Sequence, residues 1–91
     1  MTQPRQRLKV SAKTRPQELA GAIAKFIVND HQQVEIIAIG AGANQQCTKA
    51  LIMARRFTSS AGLNLAFIPA FETLEIDGKE ITAIKWLVET M

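Results

Sequence analysis

Ninety-one residues with 47% hydrophobic content make one small domain, near the lower limit at which a single core holds without disulfides or metals. One cysteine, Cys47, and one histidine, His31, exclude an internal disulfide and leave no ligand set at metal spacing. The formal charge of +3 is uneven: residues 1–15 carry Arg5, Arg7, Lys9, Lys13 and Arg15 without an acid, and the remainder holds six bases against eight acids.

A basic leading segment on a mildly acidic body has two readings, a contact with a polyanion or a solvated arm that keeps the protein in solution. The N-terminus Met1-Thr2-Gln3-Pro4-Arg5-Gln6-Arg7 lacks the apolar segment and small-residue cleavage site of a secretory signal. The longest uncharged run, Phe57 to Phe71, is 15 residues long and too short to span a bilayer. The expectation is a soluble, cytoplasmic protein with no membrane partner.

Residues 1–5 read as a flexible basic tail ahead of a single domain at 6–91. From Gln6 to Ala12, Leu8, Val10 and Ala12 alternate with Arg7, Lys9 and Ser11, the period of a strand with one buried face, so Lys9 points away from the core. Thr14 and Gln17 have capping-box spacing and Pro16 suits a first helical turn, with both Thr14 and Arg15 open as the N-cap. The helix runs to about Asp30, with Leu19, Ile23, Phe26 and Ile27 on one face. Ala20, Gly21, Ala22 and Ala24 leave room for a close neighbour that would offset the cost of a glycine inside a helix.

After the polar connection Asn29 to Gln33, the β-branched run Val34 to Ile39 reads as an interior strand. Gly40-Ala41-Gly42 turns the chain into a second helix from about Ala43 to Ser59, with a buried stripe of Cys47, Ala50, Leu51, Ala54 and Phe57. Lys49, Arg55 and Arg56 lie off that stripe, and positive charge in a last turn suits the helix dipole. Ser60-Ala61-Gly62 ends the helix. Leu63 to Ile76 is a long strand whose Pro69 implies an edge position or a bulge. Asp77-Gly78 is a hairpin signal, and Ile81 to Glu89 closes the domain as a strand. The order β-α-β-α-β-β, with right-handed crossovers, predicts an α+β two-layer sandwich in which both helices cover one face of a mixed four-stranded sheet. The opposite face is then hydrated or covered by a partner.

Taken together, Leu8-Lys9-Val10-Ser11-Ala12-Lys13, Arg15-Pro16, Ala20-Gly21-Ala22-Ile23-Ala24, Ile39-Gly40-Ala41-Gly42-Ala43, Ala54-Arg55, Phe57, Ile68-Pro69-Ala70-Phe71, Ile76-Asp77-Gly78 and Thr82-Ala83-Ile84-Lys85 resemble the stage V sporulation protein S family, small bacterial proteins with an Alba-like fold. The resemblance spans residues 8–89. It implies the spatial strand order 1-2-4-3, self-association as a homodimer or homotetramer, a role in developmental regulation, and nucleic-acid (DNA or RNA) binding through basic residues in the loop before the first helix. Lys13 and Arg15 fall in that loop, and a helix start flanked by Lys and Arg offers N–H groups and positive charge to a phosphate.

Many Alba proteins carry arginines after the second strand and on the last hairpin. This chain has Gly40-Ala41-Gly42 at the first place and the acidic run Glu72 to Glu80 at the second. An acidic hairpin repels a phosphate backbone, which leaves a smaller contact than a two-armed duplex grip, such as one to single-stranded or structured RNA.

The candidate nucleic-acid-binding set is therefore Lys9, Lys13, Thr14, Arg15, Gly40, Gly42, Asn44 and Gln45, with Arg5 and Arg7 as further phosphate contacts. The glycine turn lacks the third glycine of a dinucleotide fingerprint and the lysine of a P-loop, so a tight turn with close packing competes with phosphate binding there. Asn44 and Gln45 are possible donors to ribose or base. Trp86 and Phe71 are either base-stacking platforms or packing residues. His31 reads as an exposed residue at a helix end and Cys47 as a core side chain. With no paired base and nucleophile and no complete cofactor motif, the reading is non-enzymatic and cofactor-free. The alternative to a nucleic-acid-binding regulator is a protein-interaction or assembly module that binds no nucleic acid.

Overall fold

The computed structural model describes residues 6–91, so the expected tail at 1–5, Arg5 included, lies outside the described residues. Its elements are β1 (Gln6–Val10), α1 (Pro16–Val28), β2 (Val34–Ala38), α2 (Ala41–Ser60), β3 (Leu65–Ile76) and β4 (Lys79–Thr90). They form one mixed sheet in the order β1-β2-β4-β3, parallel between β1 and β2 and antiparallel elsewhere. This is the β-α-β-α-β-β, Alba-like topology that the sequence predicts.

Every residue of β2 is buried, as an interior strand with both faces covered requires. Val34, Ile36 and Ala38 join Val10 of β1 and Val88 of β4 in a core against Leu19, Ala20, Ile23 and Ile27 of α1 and Cys47, Ala50, Leu51 and Ala54 of α2. Both helices therefore lie on one face of the sheet.

The opposite face is not simply open. Arg7, Glu35, Lys85 and Glu72, one from each of β1, β2, β4 and β3, form a chain of ion pairs across it. Arg7 bonds Glu35 at 3.3 Å and also Glu72, and Lys85 lies 3.7 Å from Glu35 and 3.9 Å from Glu72. In a flat sheet β1 and β3 would be about 14 Å apart, three strand spacings. A direct Arg7–Glu72 contact requires the sheet to coil so that its two edges approach on this side. The coil buries Ile37 to 2% exposure on the face away from the helices. A groove between the edges is lined by Lys9 and Ile37 on one wall and Leu74 and Ile76 on the other.

Local chemistry departs from the expected pattern at several points. β1 ends at Val10, two residues early, because Ser11 turns: the Thr14 N–H donates to the Ser11 carbonyl at 3.1 Å and the Ser11 N–H donates to Thr14 Oγ1 at 2.9 Å. Thr14 is thereby committed to the turn and does not close a capping box with Gln17. Arg15 is the N-cap, in extended conformation and without a side-chain cap, and Pro16 follows in the first turn. Gly21 meets nothing within 4 Å of where a Cβ would stand, so the close neighbour expected there is absent, and Ala20 packs in the core instead. Phe57 is 50% exposed, and Thr58 occupies the buried position with its hydroxyl donating to the Arg55 carbonyl at 3.2 Å. α2 runs to Ser60, which leaves its last turn without a basic residue and places Arg55 and Arg56 ahead of it.

β3 continues through Pro69, which pairs in register with Trp86. No bulge is needed, because β3 is an edge strand and the missing N–H faces outward. Asp77 and Gly78 both have positive φ, 52° and 77°, the signature of the type I′ turn that the Asp-Gly pair predicts. The β2 pairing covers only Ile84 to Val88 of β4, so the remainder of the hairpin projects as a two-stranded arm.

Candidate nucleic-acid interface

The basic loop before α1 is short and tied down. Besides the Ser11–Thr14 turn, the Lys13 N–H donates to Ser11 Oγ at 3.1 Å, and Gln46 of α2 donates its Nε2 to the Thr14 carbonyl at 2.9 Å. The Gln46 bond fixes the loop to the first turns of α2. On the same side Ala12 packs on Gly42: a Cβ at position 42 would stand 2.9 Å from the Ala12 Cβ. Gly42 is therefore required by close approach within the chain. Gly40 has φ 92° and ψ 160°, a conformation open to glycine, and caps α2 with no side-chain hydrogen bond. The helix starts at Ala41, two residues before its expected beginning.

Lys13 and Arg15 are exposed on this stapled loop. Arg15 makes an i,i+3 pair with Glu18 at 3.6 Å with both side chains largely in water, a contact of low strength that a phosphate can replace. Lys13 has no acidic partner among the described residues. Gln45 is exposed one turn into α2. Asn44 is half-buried and its Oδ1 accepts from the Trp86 indole N–H at 3.0 Å, so its carbonyl end is engaged within the fold.

The structure thus gathers Lys13, Thr14, Arg15, Gly40, Gly42, Asn44 and Gln45 at the junction of the β1–α1 loop with the start of α2. Lys9 is separate: it stands on the other face of the sheet, on the wall of the groove. Arg7 is also on that face, bound by Glu35 and Glu72. The Glu72 hydrogen bond is the main cause of its raised pKa, opposed by desolvation and aided by both carboxylates. Its guanidinium is thus engaged by two carboxylates, which a phosphate would have to displace. These partners lie 28 and 65 residues away in sequence, and no local pattern announces them.

The two aromatics do not lie on the ion-paired face. Trp86 opposes Ile36 in the register, on the helix side of the sheet, and is half-buried. Phe71, 80% exposed, shares an apolar depression with Pro69, Ile84 and Trp86. Cys47 is buried, and desolvation pushes its thiol up from 9.0 to about 12. A thiol so held is a core side chain and a poor nucleophile at neutral pH. His31 is exposed in the α1–β2 connection with φ 53°. Among the described residues no group of three or more His, Cys, Asp or Glu is placed to hold a metal ion. No helix among them is long and apolar enough to cross a membrane.

The family model described as Stage V sporulation protein S (SpoVS) matches residues 6–91.

Proposed function

The chain belongs to the stage V sporulation protein S family, and on that premise we propose that it is a small homo-oligomeric regulatory protein that binds the phosphate backbone of a nucleic acid through the loop before α1. The observation that carries the reading is the stapled loop itself. Lys13 and Arg15 are held outward on a turn locked by Ser11, Thr14 and Gln46, beside the N-terminal end of α2, where backbone N–H groups add positive potential. Preorganisation of this kind lowers the ordering cost of binding.

The test is a salt series of binding to short duplex DNA, single-stranded DNA and RNA. The Lys13→Ala/Arg15→Ala variant is expected to bind more weakly, with a slope of log K against log salt shallower by about 2 on duplex or about 1.4 on a single strand. Parent-like binding by the variant on all three polymers would remove the loop from the interface.

The self-association part rests on Phe71. An 80% exposed phenylalanine beside Pro69, Ile84 and Trp86 is the kind of apolar surface that a second subunit covers. The parent is expected to sediment as a dimer or tetramer at micromolar concentration and the Phe71→Glu variant as a monomer. A monomeric parent would refute this part. The same surface favours the second reading, an assembly module, if the parent oligomerises and binds none of the three polymers.

A further inference from the structure

The outer face of α2 carries positive charge that the loop reading does not use. The helix spans 20 residues with Lys49, Arg55 and Arg56 and no acidic residue. All three are exposed, and among the described residues none has an acidic partner. At 100° per residue Lys49 and Arg56 lie on the side opposite the buried Cys47, Ala50 and Ala54, aligned with Gln45, Ile52 and Ser59. Arg55 flanks the same strip, and Ile52, Arg55, Arg56, Ser59 and Asn64 line a shallow depression on it. Compensation of the helix dipole does not account for these charges, since the last turn has no base and Lys49 is mid-helix.

The strip is continuous with the basic loop. Gln46, which holds the Thr14 carbonyl, also accepts from Lys49 Nζ at 3.5 Å. From Gln46 to Arg56 the helix rises about 15 Å, enough to meet more than one phosphate of a strand. We propose that the outer face of α2, through Lys49, Arg55 and Arg56, is a second phosphate-contact surface that extends the loop site into a single track for one nucleic-acid strand. This rests on the nucleic-acid reading of the loop. The composition fits a polar backbone better than a lipid surface: Gln45, Ser59 and Asn64 supply donors, and Ile52 is the one large aliphatic group along the centre of the strip.

The experiment measures binding of a 15-nucleotide single strand, as RNA and as DNA, across salt. The proteins are the parent, Lys13→Ala/Arg15→Ala, Lys49→Gln/Arg55→Gln/Arg56→Gln, and a charge control, Lys25→Gln/Lys79→Gln, that removes exposed cations elsewhere. Glutamine keeps helix propensity, and equal thermal midpoints verify the fold. The α2 variant is expected to lose about 2 from the salt slope and the charge control to lose none. In the parent, bound oligonucleotide should slow acetylation of Lys49, a readout independent of any variant.

An α2 variant with parental slope and affinity, alongside a weakened loop variant, overturns the track and leaves the loop site standing. The converse result keeps the α2 surface and overturns the loop. Equal losses in the α2 variant and the charge control show a diffuse charge effect and overturn the proposal. It is also overturned if the α2 variant loses only binding to phosphatidylserine vesicles, which would make the surface a lipid contact. A parent that binds neither polymer overturns both sites.

Discussion

Ile36→Ala is expected to lower the unfolding free energy by about 2–5 kcal/mol, and Ile37→Ala by an amount in the same range, although the two side chains lie on opposite faces of β2. Ile36 is 0% exposed and packs under the helices, whereas Ile37, at 2%, is covered by the coiled sheet and its ion-paired strip. A domain of this size has a total stability of about 5–14 kcal/mol, so either change takes a large share of it. Urea unfolding followed by circular dichroism measures both. A cost below about 1 kcal/mol for Ile37→Ala would mean that the second face is open to water and that the edges do not close over it.

The second large effect is expected at Gly42. An added methyl group would stand 2.9 Å from the Ala12 Cβ, and neither neighbour is the far end of a flexible chain. Gly42→Ala should therefore destabilise by about 1–3 kcal/mol. Ala12→Gly in the same chain removes the clashing atom and should return most of the loss, giving a coupling energy of about 0.5–3 kcal/mol in a double-mutant cycle. Additive costs would show that position 42 fails for another reason, such as helix initiation. Because Ala12 lies inside the Ser11–Thr14 turn, next to Lys13, the single variant should also disturb the presentation of Lys13.

The architecture was legible because its signals are local. The alternation around Leu8 and Val10, Pro16 at a helix start, the β-branched run at Val34 and the Asp77-Gly78 pair each specify one element, and the order of elements then restricts the sheet. Pro69 narrowed its place in β3 to an edge position or a bulge, and the structure shows the edge. The details that failed depend on competition between neighbours. Thr14 bonds back to Ser11 instead of capping α1, and Thr58, four residues beyond Ala54 on the stripe of Cys47, Leu51 and Ala54, takes the buried place expected of Phe57.

The site was half legible. The loop of Lys13, Thr14 and Arg15 and the glycine turn were read as separate features, and the structure brings them together. The hydrogen bond from Gln46 that joins them spans 32 residues, and the engagement of Arg7 by Glu35 and Glu72 depends on the coiling of the sheet. The charge of α2 was visible in the sequence as three bases off the buried stripe. That α2 runs to Ser60, beyond these bases, and that Gln46 ties it to the loop are not legible in the sequence, because both depend on tertiary contacts.

Pro69 also limits how the protein can grow. An exposed edge strand bearing Ile68 and Phe71 would ordinarily offer a template on which copy after copy could extend the sheet into a fibril. With no N–H to give at the middle of that edge, β3 cannot be continued strand by strand across Pro69. An edge interrupted in this way favours contact through side-chain faces, which can close symmetrically, over open-ended addition of strands.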